Sequence, residues 1–152
     1  MTTNVAIQVG NIITHTGFHL DEVAAVYLLR SYGEGYFPGV SKATLRFSEG
    51  MEAKSDAAFD ASRILPVGCA HGTRFNDKDK DGKRLPGACT TTQVYKYLGL
   101  GGDTALERIV GEVLRCDAEA GVKNTELAEL IKMGLHRVPN ESVWKWATEV
   151  LT

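Results

Sequence analysis

The sequence predicts an α/β fold, a mostly parallel sheet flanked by helices, with a helical C-terminal half. In the first half, short runs of apolar and β-branched residues alternate with glycine-rich turns. After about Cys89, amphipathic helical patterns follow one another to the end of the chain. The length of 152 residues suits one domain, because chains of about 100–200 residues usually fold as one. We therefore expect a single α/β domain over residues 1–152.

Three strand regions and one helix are predicted in the first half. Residues 5–14 are rich in β-branched and apolar side chains and are interrupted by one glycine, which favours one strand or two short ones. Apolar residues spaced by three and four then predict a helix over residues 19–32. Further short strands are expected at residues 43–47 and 63–67. Because proline donates no hydrogen bond to a ladder, Pro66 places the last of these at an edge or at a strand end.

The second half predicts four helices. The first covers residues 89–98, and a capping box at residues 104–107 begins the second, which should end near Gly121. Apolar faces predict the third over residues 127–135 and the last after Asn140. In the last helix, two tryptophans are expected to anchor the core or an interface rather than to stack on bases: Trp144 and Trp146.

Charge and composition exclude several classes of protein. The chain has 17 Lys and Arg against 19 Asp and Glu, a net charge of −2, so a histone-like or membrane-coating role is excluded. No apolar stretch is long enough to span a bilayer and residues 1–4 do not resemble a signal peptide, which predicts a cytoplasmic protein without a membrane partner. Three widely spaced cysteines without a C-x-x-C pair favour reduced thiols over disulfides or a zinc site.

The densest candidate site lies between the first strand and the first helix. His15, His19 and Asp21 occur within seven residues and offer the mixed nitrogen and oxygen ligands that suit zinc, manganese or iron. Gly17 allows the turn that would bring both imidazoles together. The alternative is a loop in which His19 or Asp21 caps the helix and His15 bonds to the backbone.

A second polar cluster follows at residues 76–84. Asp77, Asp79 and Asp81 with Gly82 match the first half of a calcium loop, but Ala88 stands where the bidentate glutamate is required. A solvated turn is one alternative, and a phosphate-binding turn is another. The cations that would serve the phosphate are Arg74, Lys78, Lys80, Lys83 and Arg84.

Asp117 is the third candidate. It continues the apolar side of the helix that begins near Thr104, so its carboxylate is expected to point inward and to require a partner. A metal ion, Arg115 or a backbone amide could each be that partner.

These motifs, taken in order, resemble the Myg-type metal-dependent hydrolases, a branch of the DHH phosphoesterase superfamily that also contains RecJ-type exonucleases. Residues 14–24, THTGFHLDEVA, are similar to the signature T-H-x-G-x-F-H-x-D-E-x-x-A, with one residue fewer before the phenylalanine. Weaker similarity continues through residues 67–68 and 74–75, then through ACTTTQV at 88–94 and LRCD at 114–117. The resemblance implies a parallel sheet with two manganese ions at its carboxyl edge that activate water for phosphodiester hydrolysis.

The chain also departs from this family. Pro66 stands where the family has a metal-binding aspartate, and Asn76-Asp77-Lys78 replaces its Asp-His-His. Asp77, Asp79 or His71 could compensate, whereas the charge of Lys78 would repel a second ion, which makes one metal or none easier to defend than two. Relatives usually carry a second, substrate-gripping domain, so we expect either a minimal stand-alone version or a protein that a homo-oligomer or a partner chain completes.

We therefore expect a metal-dependent phosphodiester hydrolase acting on an oligonucleotide or nucleotide, with a remodelled metal site; the alternative is a non-catalytic binding or regulatory module. Manganese is the favoured metal, ahead of zinc and then calcium. His71 is the candidate catalytic side chain. The expected metal ligands are His15, His19, Asp21, Asp77 and Asp117, and the expected phosphate-binding residues are Arg74, Lys83 and Arg84.

Overall fold

Three parallel strands form the centre of the fold. The computed structural model describes residues 5–51, 54–118 and 126–152. Strand β1 is Asn11–His15, β2 is Thr44–Ser48 and β3 is Ile64–Pro66. The sheet order is β2-β1-β3, with both neighbours parallel to β1. The predicted parallel α/β class is thus confirmed.

The first strand begins later than predicted and ends at His15. Residues 5–9 are not strand, because Ile7 and Val9 donate their backbone N–H groups to Tyr36 and Pro38 in the loop that follows the first helix. Within β1, Ile12 is fully buried and pairs with a residue on each side. The prediction for Pro66 is confirmed: it is the last residue of β3, an edge strand.

Helix α1, Leu20–Tyr32, runs through the middle of the molecule. It has nine buried residues of 13 and packs against the helices of the C-terminal half, so it has no exposed polar face over its first three turns. The backbone N–H of His19 donates to the carboxylate of Glu22 at 2.7 Å, which closes the start of the helix. Gly33 ends it by donating to the carbonyl of Leu29.

Within the described residues, five further helices surround this core. They are α2 (Asp56–Ala61), α3 (Thr90–Tyr97), α4 (Thr104–Ala118), α5 (Glu126–Leu135) and α6 (Asn140–Leu151), with a short 3-10 turn at Val40–Lys42. The six-residue α2 was not predicted, since it is too short to show a helical period.

The predicted capping box of α4 was wrong by one residue. Asp103, rather than Thr104, caps the helix by accepting the N–H groups of Ala105 and Leu106. The carboxylate of Glu107 accepts the backbone N–H of Gly102, one residue before the cap. The predicted end of the helix near Gly121 lies outside the described residues.

An aromatic cluster holds α6 against the sheet. The ring of Trp144 lies 4.7 Å from that of Phe18 and 5.7 Å from that of Phe47, measured between centroids. Trp144 is 5% exposed and Trp146 is 40% exposed, so only the first is a core residue. Trp146 instead lines a shallow apolar groove between α5 and α6 with Leu130 and Met133.

Two further sequence predictions concern the membrane and the thiols. In the part of the chain that is described, no helix is both long and apolar enough to cross a membrane. All three cysteines are free thiols, as predicted. Burial raises the pKa of the Cys69 thiol to about 11.

The two tryptophans give a matched test of the core. We expect Trp144→Ala to lower the free energy of unfolding by about 3–5 kcal/mol, the usual cost of removing a large buried aromatic side chain. Trp146→Ala should cost at most about 1 kcal/mol, because Trp146 is 40% exposed and lies outside the core. Urea denaturation followed by circular dichroism measures both. Equal losses in the two variants would contradict this packing.

Candidate functional site

A cavity of about 320 Å³ opens at the carboxyl end of the sheet. It begins where β1 ends at His15 and where the chain leaves β3 at Gly68, and the helices α1, α4 and α5 complete its wall. All five predicted metal ligands line it: His15, His19, Asp21, Asp77 and Asp117. Residues that are far apart in the chain therefore converge at the sheet edge, as expected for an α/β fold.

His15 is held by hydrogen bonds on both ring nitrogens. Its Nδ1 lies 2.8 Å from the carbonyl oxygen of Thr16, and its Nε2 lies 3.3 Å from Oε1 of Glu22. Two acceptors around one imidazole stabilise the protonated ring, so the hydrogen bond to Glu22, opposed by partial burial, raises the pKa of His15. The ring of His19 lies 6.0 Å away, edge-on.

Glu22 was not predicted as a site residue. It is 5% exposed, and its two oxygens face different groups, Oε2 the backbone N–H of His19 and Oε1 the His15 ring. Gly68 makes this possible, because a Cβ at that position would lie 2.7 Å from Oε1 and the backbone has φ 71°. The sequence signal for Glu22 was its place beside Asp21 at the start of a buried helix.

Asp21 is a structural tether as well as a candidate ligand. Its carboxylate accepts the backbone N–H groups of Thr90 and Thr91 at 2.9 and 2.8 Å, and its carbonyl accepts the Thr91 hydroxyl. Asp21 therefore caps α3, a helix that begins 69 residues later, rather than α1. Burial and the neighbouring charge of Glu22 raise the pKa of Asp21. Each carboxylate oxygen still has a second lone pair available.

Arg84 lies between the other two predicted ligands. Its Nη1 is 3.3 Å from Asp77, and its Nη2 donates to Asp117. Arg84 is therefore a partner of Asp117 that the sequence did not suggest, and Arg115, one of the partners considered, pairs with Glu112. Burial and the charge of Asp21 raise the pKa of Asp117 although the arginine opposes this.

Three other predicted residues lie outside the cavity lining. The predicted catalytic residue His71 is exposed and lies against Gly82. Arg74 forms a bidentate ion pair with Asp60, both N–O distances being 2.8 Å, so its guanidinium already has a carboxylate partner. Lys83 is exposed at the tip of the polar turn.

The half-match to a calcium loop forms a polar turn. Oδ1 of Asp79 accepts the backbone N–H groups of Asp81 and Lys83, both at 2.9 Å. Lys78 and Arg84 face each other in a short antiparallel bridge. With Asp79 directed at its own turn and Asp77 paired with Arg84, the acidic side chains do not converge.

The cavity is also lined by cationic side chains, which could bind an anionic ligand. They are Lys78 and Arg84 of the polar turn and Lys132 of α5. The sequence signal for Lys132 is weak, because its spacing of four from Ala128, which also lines the cavity, is shared by many helical residues.

The donor types fit a single divalent ion better than two. In the described part of the chain, no group of three His, Cys, Asp or Glu side chains is arranged to hold an ion. The 3.3 Å between His15 Nε2 and Glu22 Oε1 nevertheless equals the separation of about 3.3 Å between two ligands at about 2.0–2.1 Å from a tetrahedral ion. Asp77 and Asp117, by contrast, share Arg84 as an ion-pair partner.

Comparisons of the chain with models of protein families, with curated proteins and with solved structures find no match. The functional interpretation therefore rests on the geometry of the cavity.

The pairing of Arg84 is testable by a matched substitution. We expect Arg84→Met to lower the free energy of unfolding by about 1–2 kcal/mol at neutral pH, since it leaves two largely buried carboxylates without their partner. The neighbouring Lys83→Met, which removes an exposed charge, should change it by less than about 0.5 kcal/mol. Urea denaturation compares the two. A loss in Lys83→Met as large as that in Arg84→Met would contradict the assigned pairs.

Proposed function

We propose that this chain is a metal-dependent phosphodiester hydrolase whose cavity at the sheet edge binds one divalent ion, with manganese favoured over zinc. The observation that carries the proposal is the facing pair of His15 Nε2 and Glu22 Oε1, separated by 3.3 Å inside a cavity that also contains three cations. Nitrogen and carboxylate donors together suit manganese or zinc. The ring of His19 lies 6.0 Å from that of His15, measured between centroids, and His19 also lines the cavity.

The cations of the cavity would bind the phosphodiester. Lys78, at the start of the polar turn, and Lys132, on α5, both line the cavity and would each donate to a non-bridging oxygen. Arg84 is held in place by Asp77 and Asp117, and its guanidinium has five N–H donors, so some of them can still reach a phosphate. Oriented donors of this kind stabilise the charge that develops in phosphoryl transfer.

The remaining groups position the ligands. A divalent ion bound at the cavity would supply Lewis-acid polarisation of the phosphoryl oxygen. Thr16 accepts from Nδ1 of His15, which turns Nε2 toward the cavity. The His19 amide fixes Glu22 in the same way, and the Thr90 and Thr91 amides fix Asp21.

A second candidate function is a non-catalytic module that binds a phosphorylated ligand. The pairing of Arg84 with Asp77 and Asp117 favours it, because two carboxylates that could hold a second ion already share a cationic side chain. Lys78 and Lys132 would bind phosphate in this case too. The two candidate functions differ in that only the hydrolase cleaves the phosphodiester it binds.

We also propose the cytoplasm as the compartment of this protein. Cys69, Cys89 and Cys116 are all free thiols, and free thiols persist where the environment is reducing.

Metal binding is tested first, by calorimetric titration with manganese. Wild type should bind about one ion per chain, and His15→Ala should weaken binding by more than about 100-fold, since even outer-shell partners of a ligand contribute about 10- to 100-fold. His71→Ala is the matched control and should bind as wild type does, because His71 lies outside the cavity. Unchanged binding in His15→Ala, or absence of binding in wild type, would refute the metal site.

Turnover is tested with bis(p-nitrophenyl) phosphate and manganese. We expect hydrolysis by wild type, a fall in kcat of at least about 100-fold in Glu22→Gln, and a rise in KM of about tenfold in Lys78→Met, which loses one charged contact to the phosphate. Lys80→Met, an exposed residue of the same turn, is the control for Lys78. Manganese binding without any hydrolysis would favour the non-catalytic module.

A further inference from the structure

A second cleft adjoins the cavity, and its lining, unlike that of the cavity, has no acidic residue among the described ones. Its volume is about 380 Å³, and its walls include Thr16, Gly17, His19, Lys132, His136 and Asn140. It shares His19 and Lys132 with the cavity, so the two spaces meet at these side chains. A ligand at the metal side of His19 could therefore extend into the cleft.

The cleft is suited to an anion. The cavity is lined by four carboxylates, those of Asp21, Glu22, Asp77 and Asp117. None of the described residues that line the cleft is acidic, and its polar groups include the Lys132 ammonium, the Asn140 amide, the Thr16 hydroxyl and two imidazoles. Such a set donates to phosphate oxygens. Lys132 also pairs with Glu129 at 3.7 Å, but both side chains are exposed, so this contact is weak and leaves the ammonium able to bind an anion.

The walls of the cleft are formed by the turn between β1 and α1 and by the turn after α5. On one side, Gly17 with φ 66° turns the chain between β1 and α1, and a Cβ there would meet nothing within 4 Å, so this wall is open to a ligand. On the other side, Arg137 and Val138 close the turn after α5 by donating to the Gly134 carbonyl. An edge-to-face contact between Trp144 of α6 and Phe18, the residue after Gly17, joins the two sides.

We propose that this cleft binds a second phosphate of the substrate, one link along the chain from the phosphodiester in the cavity. The inference rests on the proposed function and adds a substrate class: a short nucleotide chain with consecutive phosphates, in preference to an isolated diester. His136 and Asn140 bind that second phosphate and determine specificity, while Lys132 lies between the two phosphates.

The test compares three substrates under the same manganese concentration: a thymidine dinucleotide with only its internal phosphodiester, and the same dinucleotide with an added phosphate at the 5′ or at the 3′ end. For wild type we expect kcat/KM to be at least about tenfold higher with one of the two added phosphates, the gain typical of one charged contact. In the double variant His136→Ala/Asn140→Ala the ratio should fall toward one.

Arg137→Ala and Lys145→Met serve as controls, because they remove neighbouring positive charges that lie outside the cleft lining. They should keep the wild-type ratio. A wild-type ratio near one for both phosphorylated dinucleotides would overturn the second phosphate site, and so would a ratio that survives in the double variant.

Failure of the proposed function gives a different result. If wild type hydrolyses none of the three dinucleotides, the hydrolase proposal fails. Calorimetric Kd values for the same compounds then test the second phosphate site independently of turnover. Tighter binding of a phosphorylated dinucleotide that is lost in the double variant supports the cleft. Equal Kd values for all three compounds overturn it.

Discussion

The structure depends on the burial of two adjacent carboxylates at the start of its central helix. Asp21 and Glu22 are 2% and 5% exposed, in the first turn of α1. Burying an ionised carboxylate is costly unless hydrogen bonds or opposite charges replace the lost water. Here the replacement comes from three elements at once: amides at the start of α3, the amide of His19, and the imidazole at the end of β1.

This requirement explains the local arrangement of the site. The chain after β3 passes Glu22 so closely that only a glycine, Gly68, fits. The start of α3 is brought to Asp21, and a helix N-terminus is itself a favourable place for a negative charge. Strand β1, helix α1 and helix α3 are therefore joined by the same two side chains that carry the negative charge of the cavity.

The polar turn contributes the opposite charge. Arg84 reaches Asp77 within its own loop and Asp117 at the end of α4, so the loop is attached to the helical half through an ion pair. The same contact places a cation beside Asp117, whose pKa is raised by burial and by the charge of Asp21. For the proposed metal site, this cation favours one divalent ion over two, because its positive charge would repel a second ion.

Local sequence patterns determined much of this protein. The period of the apolar residues and the turn-forming glycines predicted the α/β class, the long helix α1 and most of the later helices, because these depend on neighbours a few residues apart. The placement of His15, His19 and Asp21 at the strand-to-helix junction followed from the same signals. The tertiary structure decided their partners: Asp21 caps α3, Arg84 separates Asp77 from Asp117, and His71 and Arg74 lie elsewhere. The contacts between Arg84 and Asp117 and between Asp21 and Thr90 join residues 33 and 69 positions apart. No periodic pattern in a single sequence predicts such contacts, because they form only when folding buries the carboxylates beside hydrogen-bond donors from distant segments.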